Sequence, residues 1–402
     1  MLIKHIYGKG LNFDLQLRGV IEELGHVRNV VRLVFFVSSA DFSDYYGKYE
    51  SIARAVNELY FERPPVFSCV AQDPLNGSQV VVEVHGVCDR QYAAAMYKKS
   101  DDIAYIVIET SSCRKLYLGG VIPDKNCTDF RAGCDEVFSK IGKILRTENM
   151  PVSSIVRQWN YIPQITRIER GAQHYQDFND ARSAFYDGVD WENGYPAATG
   201  IGTARGEVTV DMETVLPSDR SQIVIEKIDN NLQVSAFDYS CHVLVGEKNS
   251  GKTSPKFERA KSVAFDGEKL LYISGTAAIR GEESLEATGV LQQTQATIEN
   301  IENLVSQVRE GAEAKNMAVG NEILALRVYL KYAADYDRVR AAVAKIYPGV
   351  PALYSLADVC RDNLLVEIEG WMLFESKKER HPVGNRGADR IIINEHKSFN
   401  LK

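Results

Sequence analysis

The stretch VLVGEKNSGKTS, residues 243–254, places Gly246, Gly251, Lys252 and Thr253 in the four fixed positions of the phosphate-binding pattern G-x-x-x-x-G-K-[ST]. That pattern cradles nucleotide phosphates only where a strand leads in and a helix leads out, its first N–H groups facing the phosphates. YSCHVLV supplies a strand-like approach, but Pro255 follows Thr253 by two residues, and KFERAKS has little helical periodicity. The stretch therefore reads as a Gly/Ser/Lys-rich connector, and an NTPase is the weakest of the functions considered. A second set of chemically capable residues recurs along the chain. Three strand-like segments contain V-[ED]-x-[EH], and Glu83, Asp211 and Glu367 hold the same place in each. In the last, VEIEG, strand alternation turns Glu367 and Glu369 to one face, so spacing leaves open which of the two would act.

The elements that must position these carboxylates form an internal repeat over residues 30–86, 155–214 and 325–370. Each unit opens on a β-rich apolar run, continues into an amphipathic helix, passes a proline (Pro65, Pro196, Pro351) and ends in two strands. KLYLGGVIPD and KLLYISGTAAIRG provide matching front strands for the second and third units, each followed by a helix. In the longer of these helices Val290, Leu291, Thr294, Ile298, Ile301, Leu304, Val305 and Val308 make one apolar stripe, the mark of a helix packed on a sheet. The first unit keeps its helix, QLRGVIEELGHVRNVV, but lacks front strands; DRIIINEH at 389–396 could supply one. The expected architecture is α+β: three modules in one chain, forming a pseudo-trimer with pockets between modules and an incomplete first module. The expected boundaries are 1–98, 99–245 and 246–375, with 376–402 a C-terminal extension.

Composition is that of a globular chain: 402 residues, 45% hydrophobic, 25% charged, net charge −7. The acidic balance argues against nucleic acid as partner, so an anionic substrate would need a local cationic pocket. No apolar run is long enough for a membrane span, and no signal peptide is expected. Seven cysteines without a C-x-x-C read as reduced thiols of a cytoplasmic protein, and no metal site is expected.

YISG, LRVYL and LLVEIEG resemble the RidA/YjgF family, homotrimers of such modules with ligand sites at the subunit interfaces. WNYIP, YQDFNDAR, PAATGIG, SPKFERA, SGTAAIRG and ADVCRDNLLVEIEG, spread over roughly residues 100 to 375, resemble more specifically the chorismatase family. That resemblance implies single, monomeric chains imitating the RidA trimer that cleave the enolpyruvyl ether of chorismate to pyruvate and a hydroxybenzoate or a dihydroxycyclohexadiene carboxylate. Protonation of the vinyl ether needs a positioned general acid and no cofactor, and a desolvated carboxyl serves if it keeps its proton near neutral pH. The resemblance points to Glu367 as that acid; the alternative is a buried, hydrogen-bonded strand carboxylate. Glu83 and Asp211 then read as structural remnants.

The two carboxylates of chorismate call for arginines. Arg157, Arg182, Arg327 and Arg361 lie in the family-like blocks, and Tyr175 and Asn179 share a helical face with Arg182. Ser274 and Gly275 match the turn that faces ligands in the RidA family, and Ala277 follows them. Cys360, seven residues before Glu367, suggests the hydroxybenzoate-forming branch, with 3-hydroxybenzoate favoured. Tyr354 stands where RidA deaminases carry a carboxylate-binding arginine, which counts against the first alternative, an imine deaminase. A non-catalytic ligand-binding protein on the same scaffold is the second.

Overall fold

The computed structural model describes residues 1–124, 127, 129–218, 223–244, 252–265, 268–285, 289–314 and 321–375. Residues 245–251 of the phosphate-loop-like stretch and the whole segment 376–402, with its expected strand at 389–396, lie outside these.

Three sheets carry the molecule. The first has β1 (Leu2–Tyr7), β2 (Val30–Val37), β3 (Val66–Val70) and β4 (Val80–Gly86) in the order β1-β4-β2-β3. The second has β5 (Ala95–Ser100), β6 (Ile103–Glu109), β7 (Cys113–Val121), β8 (Ile155–Pro163), β11 (Ala197–Thr203) and β12 (Thr209–Pro217), in the order β11-β8-β12-β7-β6-β5. A small hairpin, β9 (Ile168–Glu169) and β10 (Ala172–Gln173), precedes its second helix. The third has β13 (Val224–Ile228), β14 (Ala260–Phe265), β15 (Glu268–Ala277), β18 (Asn321–Leu330), β19 (Ala352–Leu356) and β20 (Val366–Glu375), in the order β13-β14-β15-β20-β18-β19. The ribbon β16 (Ile279–Arg280) and β17 (Glu283–Ser284) follows β15.

Read outward from the parallel pair, strand order is the same in the second and third sheets, and the first repeats the first four of those positions. One pair in each sheet is parallel, β2–β3, β8–β11 and β18–β19, and the rest are antiparallel. Register sharpens the repeat: Arg32 faces His85, Arg157 faces Glu213 and Arg327 faces Glu369. Glu83, Asp211 and Glu367 therefore do hold one structural position, opposite Val34, Trp159 and Tyr329. The first sheet's front place is taken by β1, which pairs along β4 and comes from an N-terminal stretch assigned no strand above. By pairing, the second sheet begins at Ala95 and the third at Val224, so each takes in a strand that starts before residues 99 and 246 respectively.

Helices cover one face of each sheet: α1 (Phe13–Leu24) and α2 (Phe42–Leu59) the first, α4 (Phe130–Thr147) and α5 (His174–Tyr186) the second, α6 (Val290–Ala314) and α7 (Tyr336–Ile346) the third. A short α3 (Asp89–Ala93) links the first two sheets. Asn12, Asp41 and Asp129 start α1, α2 and α4 by accepting a backbone N–H three residues on, which satisfies a donor the helix cannot. The α6 stripe is buried against its sheet except at Leu291, which is 44% exposed. Its position one residue after Val290 carries it off the apolar face.

The other sheet faces meet in a shared core around Trp159, Tyr272, Tyr329 and Trp371. Within it Arg32, Arg157 and Arg327 are each at most 1% exposed. Their guanidinium groups lie over the indole of Trp159 and pair with carboxylates across sheets: Arg32 with Asp211 at 2.6 Å, Arg327 with Glu83 at 2.5 Å, and Arg157 with Glu369. Buried charges persist only when paired in this way.

Candidate active site

Strand β20 turns Glu367 and Glu369 to one face, but their neighbours differ. Glu369 is saturated: Arg157 and Thr199 donate to one oxygen, and Arg327 (3.0 Å) and Tyr329 (2.8 Å) to the other. Glu367 makes no hydrogen bond or ion pair among the described residues and is 4% exposed. Burial pushes its carboxyl up, the nearby Glu369 adds to this, and Arg157 and Arg259 pull it back, leaving it at about 8.

The repeat-equivalent carboxylates are occupied. Glu83 accepts from His5 (3.0 Å), His85 (2.6 Å) and Arg327. Burial alone would raise Glu83, but Arg327 and the two histidines outweigh it and hold it well below the usual range. Asp211 accepts from Arg32, from Ser68 (2.5 Å) and from the Gly120 N–H (2.8 Å). Of the three, Glu367 alone is left without such partners among the described residues.

The Glu367 carboxyl lies over Gly275 of β15. A Cβ there would stand 2.1 Å from Glu367 Oε1, so only glycine leaves room. Gly275 is fixed from the second sheet, where its N–H donates to Thr199 Oγ1 at 2.9 Å. Thr199 accepts from Arg157 as well and donates to Glu369, so one hydroxyl joins β11, β15 and β20.

Around Glu367 a cleft opens between the second and third sheets. From α5 come Tyr175, Asn179 and Arg182, and from β11 come Ala198 and Gly200. Gly275 and Ala277 of β15 face them, with Cys360, Arg361 and Arg259 completing the wall. The segment after β13 contributes Tyr239, Leu244 and Phe257. Arg182 is 2% exposed; it donates to Asn179 Oδ1 (2.7 Å), and its guanidinium lies near the rings of Phe178 and Phe257. Arg259 donates to Val234 O (2.8 Å) and Tyr239 OH (2.6 Å), and Arg361 to Glu282 O (2.8 Å) and Ser284 Oγ (3.1 Å). None of the three makes a salt bridge among the described residues. Burial lowers Arg182, partly countered by the tyrosines around it, which marks a cation held without a counter-ion. Burial also pushes the Cys360 thiol, which feels Glu367, up to about 12, so it stays protonated.

Eight of the residues singled out by sequence thus share this cleft: Glu367, Tyr175, Asn179, Arg182, Gly275, Ala277, Cys360 and Arg361. The other four lie outside it. Arg157 and Arg327 are consumed by the central ion pairs, because the third sheet's carboxylates and the first sheet's Glu83 reach them. Ser274 points away, accepting from the Ala198 N–H and donating to Glu258 O. Tyr354 packs edge-on against Tyr336. Arg259 and Tyr239 were not singled out; Arg259 sits in the quoted block SPKFERA, whereas Tyr239 carries no signal of spacing. Thr253 caps no phosphate site: its N–H and hydroxyl bond Asp180 (3.0 and 2.7 Å), and residues 252–257 form no helix. No group of three His, Cys, Asp or Glu side chains that could hold a metal occurs among the described residues, and no described helix is long and apolar enough to cross a membrane.

Fold and site together define an α+β protein of three repeated sheets, whose inter-sheet cleft holds one acid without a hydrogen-bond or ion-pair partner and three arginines without a salt bridge among the described residues. Residues 87–212 match the family model described as chorismatase FkbO/Hyg5-like, N-terminal. The chain is 33% identical over 233 residues to a 3-hydroxybenzoate synthase of Streptomyces hygroscopicus, a match covering 56% of this chain and 64% of that one, just under two thirds of the relative's length. It is 29% identical over 261 residues to a chorismatase of Streptomyces rapamycinicus, covering 63% and 74%. A chorismatase crystal structure superposes with a TM-score of 0.62 at 20% identity, covering 92% of this chain and 98% of that one, and so shares the fold. On these findings the chain is similar to chorismatases over more than half of its length and shares their fold.

Proposed function

We propose that the protein cleaves the enolpyruvyl ether of chorismate, releasing pyruvate and a hydroxybenzoate, with Glu367 as general acid. The observation that carries this reading is the pairing of one carboxyl, raised to about 8 and free of partners among the described residues, with three arginines that lack a carboxylate partner. A carboxyl in that state holds a proton to give at neutral pH. Arginines that make no salt bridge among the described residues suit a substrate with two carboxylates. Arg182, with Asn179, would hold one carboxylate from α5, and Arg259 and Arg361 the other from the opposite wall.

The Glu367 proton goes to the terminal CH2 of the vinyl ether, leaving an oxocarbenium ion next to the ether oxygen. The Glu367 carboxylate so formed lies beside that cation and stabilises it. In the water-free route the neighbouring ring hydroxyl adds to the oxocarbenium carbon, and its C–O bond to the ring breaks as the ring loses a proton and becomes aromatic. The adduct collapses to pyruvate and a hydroxybenzoate that keeps the ether oxygen. Of the two protons released, one restores Glu367 and the other protonates the phenol. Pyruvate and hydroxybenzoate together contain the atoms of chorismate, so that outcome consumes no water overall. Addition of water would instead give the dihydroxycyclohexadiene carboxylate. The name of the Streptomyces hygroscopicus relative and the protonated thiol of Cys360 in the cleft favour 3-hydroxybenzoate. The test is incubation with chorismate, an enzymatic assay for pyruvate and chromatography of the ring product. Stoichiometric pyruvate and 3-hydroxybenzoate are expected; folded protein that releases no pyruvate overturns the reading.

A further inference from the structure

A second cavity, of about 220 Å3, shares no lining residue with the cleft. It lies between strands of the second and third sheets, with Lys115 on β7, Tyr117 beside it, Phe265 on β14 and Tyr272 on β15. Lys115 is 8% exposed and makes no hydrogen bond or ion pair among the described residues; its ammonium sits 4.4 Å from the centre of the Phe265 ring. A lysine this deeply buried is normally paired. The Tyr117 hydroxyl also makes no hydrogen bond among the described residues, whereas the Tyr272 hydroxyl is used up on Glu213 Oε2 at 2.8 Å. Burial pulls the Lys115 ammonium down, with only distant help from Cys113 and Glu213.

Two unpaired donors set among aromatic rings define what would fill this space. The ammonium asks for one anionic oxygen group, and the rings ask for a flat apolar body. Glu213 and Glu268, also in the lining, oppose a second negative charge, and Arg90 in the same lining is exposed and donates to Ser111 Oγ at 3.2 Å. A void of roughly 150 Å3 already admits benzene, so one substituted ring fits. We propose that this cavity is a second binding site, distinct from the cleft, for a small aromatic monocarboxylate whose carboxylate pairs with Lys115 and whose ring lies against Phe265. The site takes a monoanion and turns away a dianion such as chorismate. The cavity chemistry stands without the proposed function; only 3-hydroxybenzoate as one of the probes rests on it.

The test is calorimetric titration of the full chain with benzoate, 3-hydroxybenzoate and chorismate, in wild type, Arg182→Met, Lys115→Met and the double variant. In Arg182→Met, one equivalent of either aromatic acid still binds, while chorismate binding weakens about ten- to a hundredfold. Adding Lys115→Met weakens that binding about tenfold or more, the size of a lost charge-assisted contact. Tyr117→Phe, which removes one hydroxyl and keeps the packing, weakens it severalfold and serves where Lys115→Met perturbs folding. No aromatic-acid binding to folded Arg182→Met overturns the proposal, as does binding that survives Lys115→Met or Tyr117→Phe unchanged. Pyruvate release from chorismate by Lys115→Met, assayed in parallel, stays at the wild-type rate, so a failure of the cavity and a failure of the chorismatase reading remain distinguishable.

Discussion

Glu367 and Glu369 are two residues apart on one strand face, yet one is an acid with no hydrogen-bond or ion-pair partner among the described residues and the other an anchor for two arginines. The difference comes from what the second sheet sends across: Thr199 and Arg157 reach Glu369, and only Gly275 lies beneath Glu367. Two predictions belong here. Gly275→Ala puts a methyl where the Glu367 carboxyl lies, so kcat for pyruvate release falls by about a hundredfold in a protein whose circular dichroism is unchanged. Arg182→Met removes a buried cation that makes no salt bridge among the described residues, and KM for chorismate rises by about ten- to a hundredfold, read from steady-state kinetics. Sequence alternation placed both glutamates on one face but could not separate them, because the deciding contacts come from residues 170 and 212 positions away in the chain. Arg157 and Arg327 looked as suited to a ligand as Arg182 did. Their type and neighbourhood are alike, and only the cross-sheet partners tell them apart.

At the scale of elements, the site is a joint between sheets. Strand β11 brings Thr199 against β15 and β20, while α5 hangs its arginine over the same strands. Thr199→Val keeps the shape but strips the oxygen that serves Gly275, Arg157 and Glu369. It costs roughly 1–3 kcal/mol in urea unfolding, because the donors it leaves are buried. The elements themselves were largely legible. Apolar runs, helical stripes and prolines recur in each unit, and every strand–helix–strand–strand block falls where the repeat put it. What the pattern missed was β1, β5, β6, β13 and β14, the strands that complete each sheet on the side away from its parallel pair and whose existence depends on the strands they pair with.

The whole molecule is tied at its centre by buried charges rather than by apolar contact alone. Arg327 links Glu83 of the first sheet to Glu369 of the third. Arg327→Met leaves two buried carboxylates short of a cation and costs about 3–5 kcal/mol, measured by denaturant unfolding. The same centre sets the acid response. Glu83 is held below its ordinary value, so the unfolded chain binds more protons as pH falls through the carboxylate range. His85 is lowered by burial, despite the pull of Glu83, and acts in the same direction below its ordinary value. Through these two groups stability falls as pH drops, below about 6.5 for His85 and below about 4.5 for Glu83, whereas Glu367, raised to about 8, contributes in the opposite sense from pH 8 down to about 4.5. In Arg327→Met the carboxylate part of that slope shrinks. None of this network was readable from the chain, since its pairs join residues up to 244 positions apart.

The most direct test of the account is the rate of pyruvate release from chorismate, wild type against Glu367→Gln, across pH 5 to 10. The account predicts activity that is level through neutral pH and falls as the carboxyl loses its proton near pH 8, and a Glu367→Gln variant that binds chorismate but releases no pyruvate at any pH. A Glu367→Gln variant that turns over chorismate with the wild-type profile would contradict it.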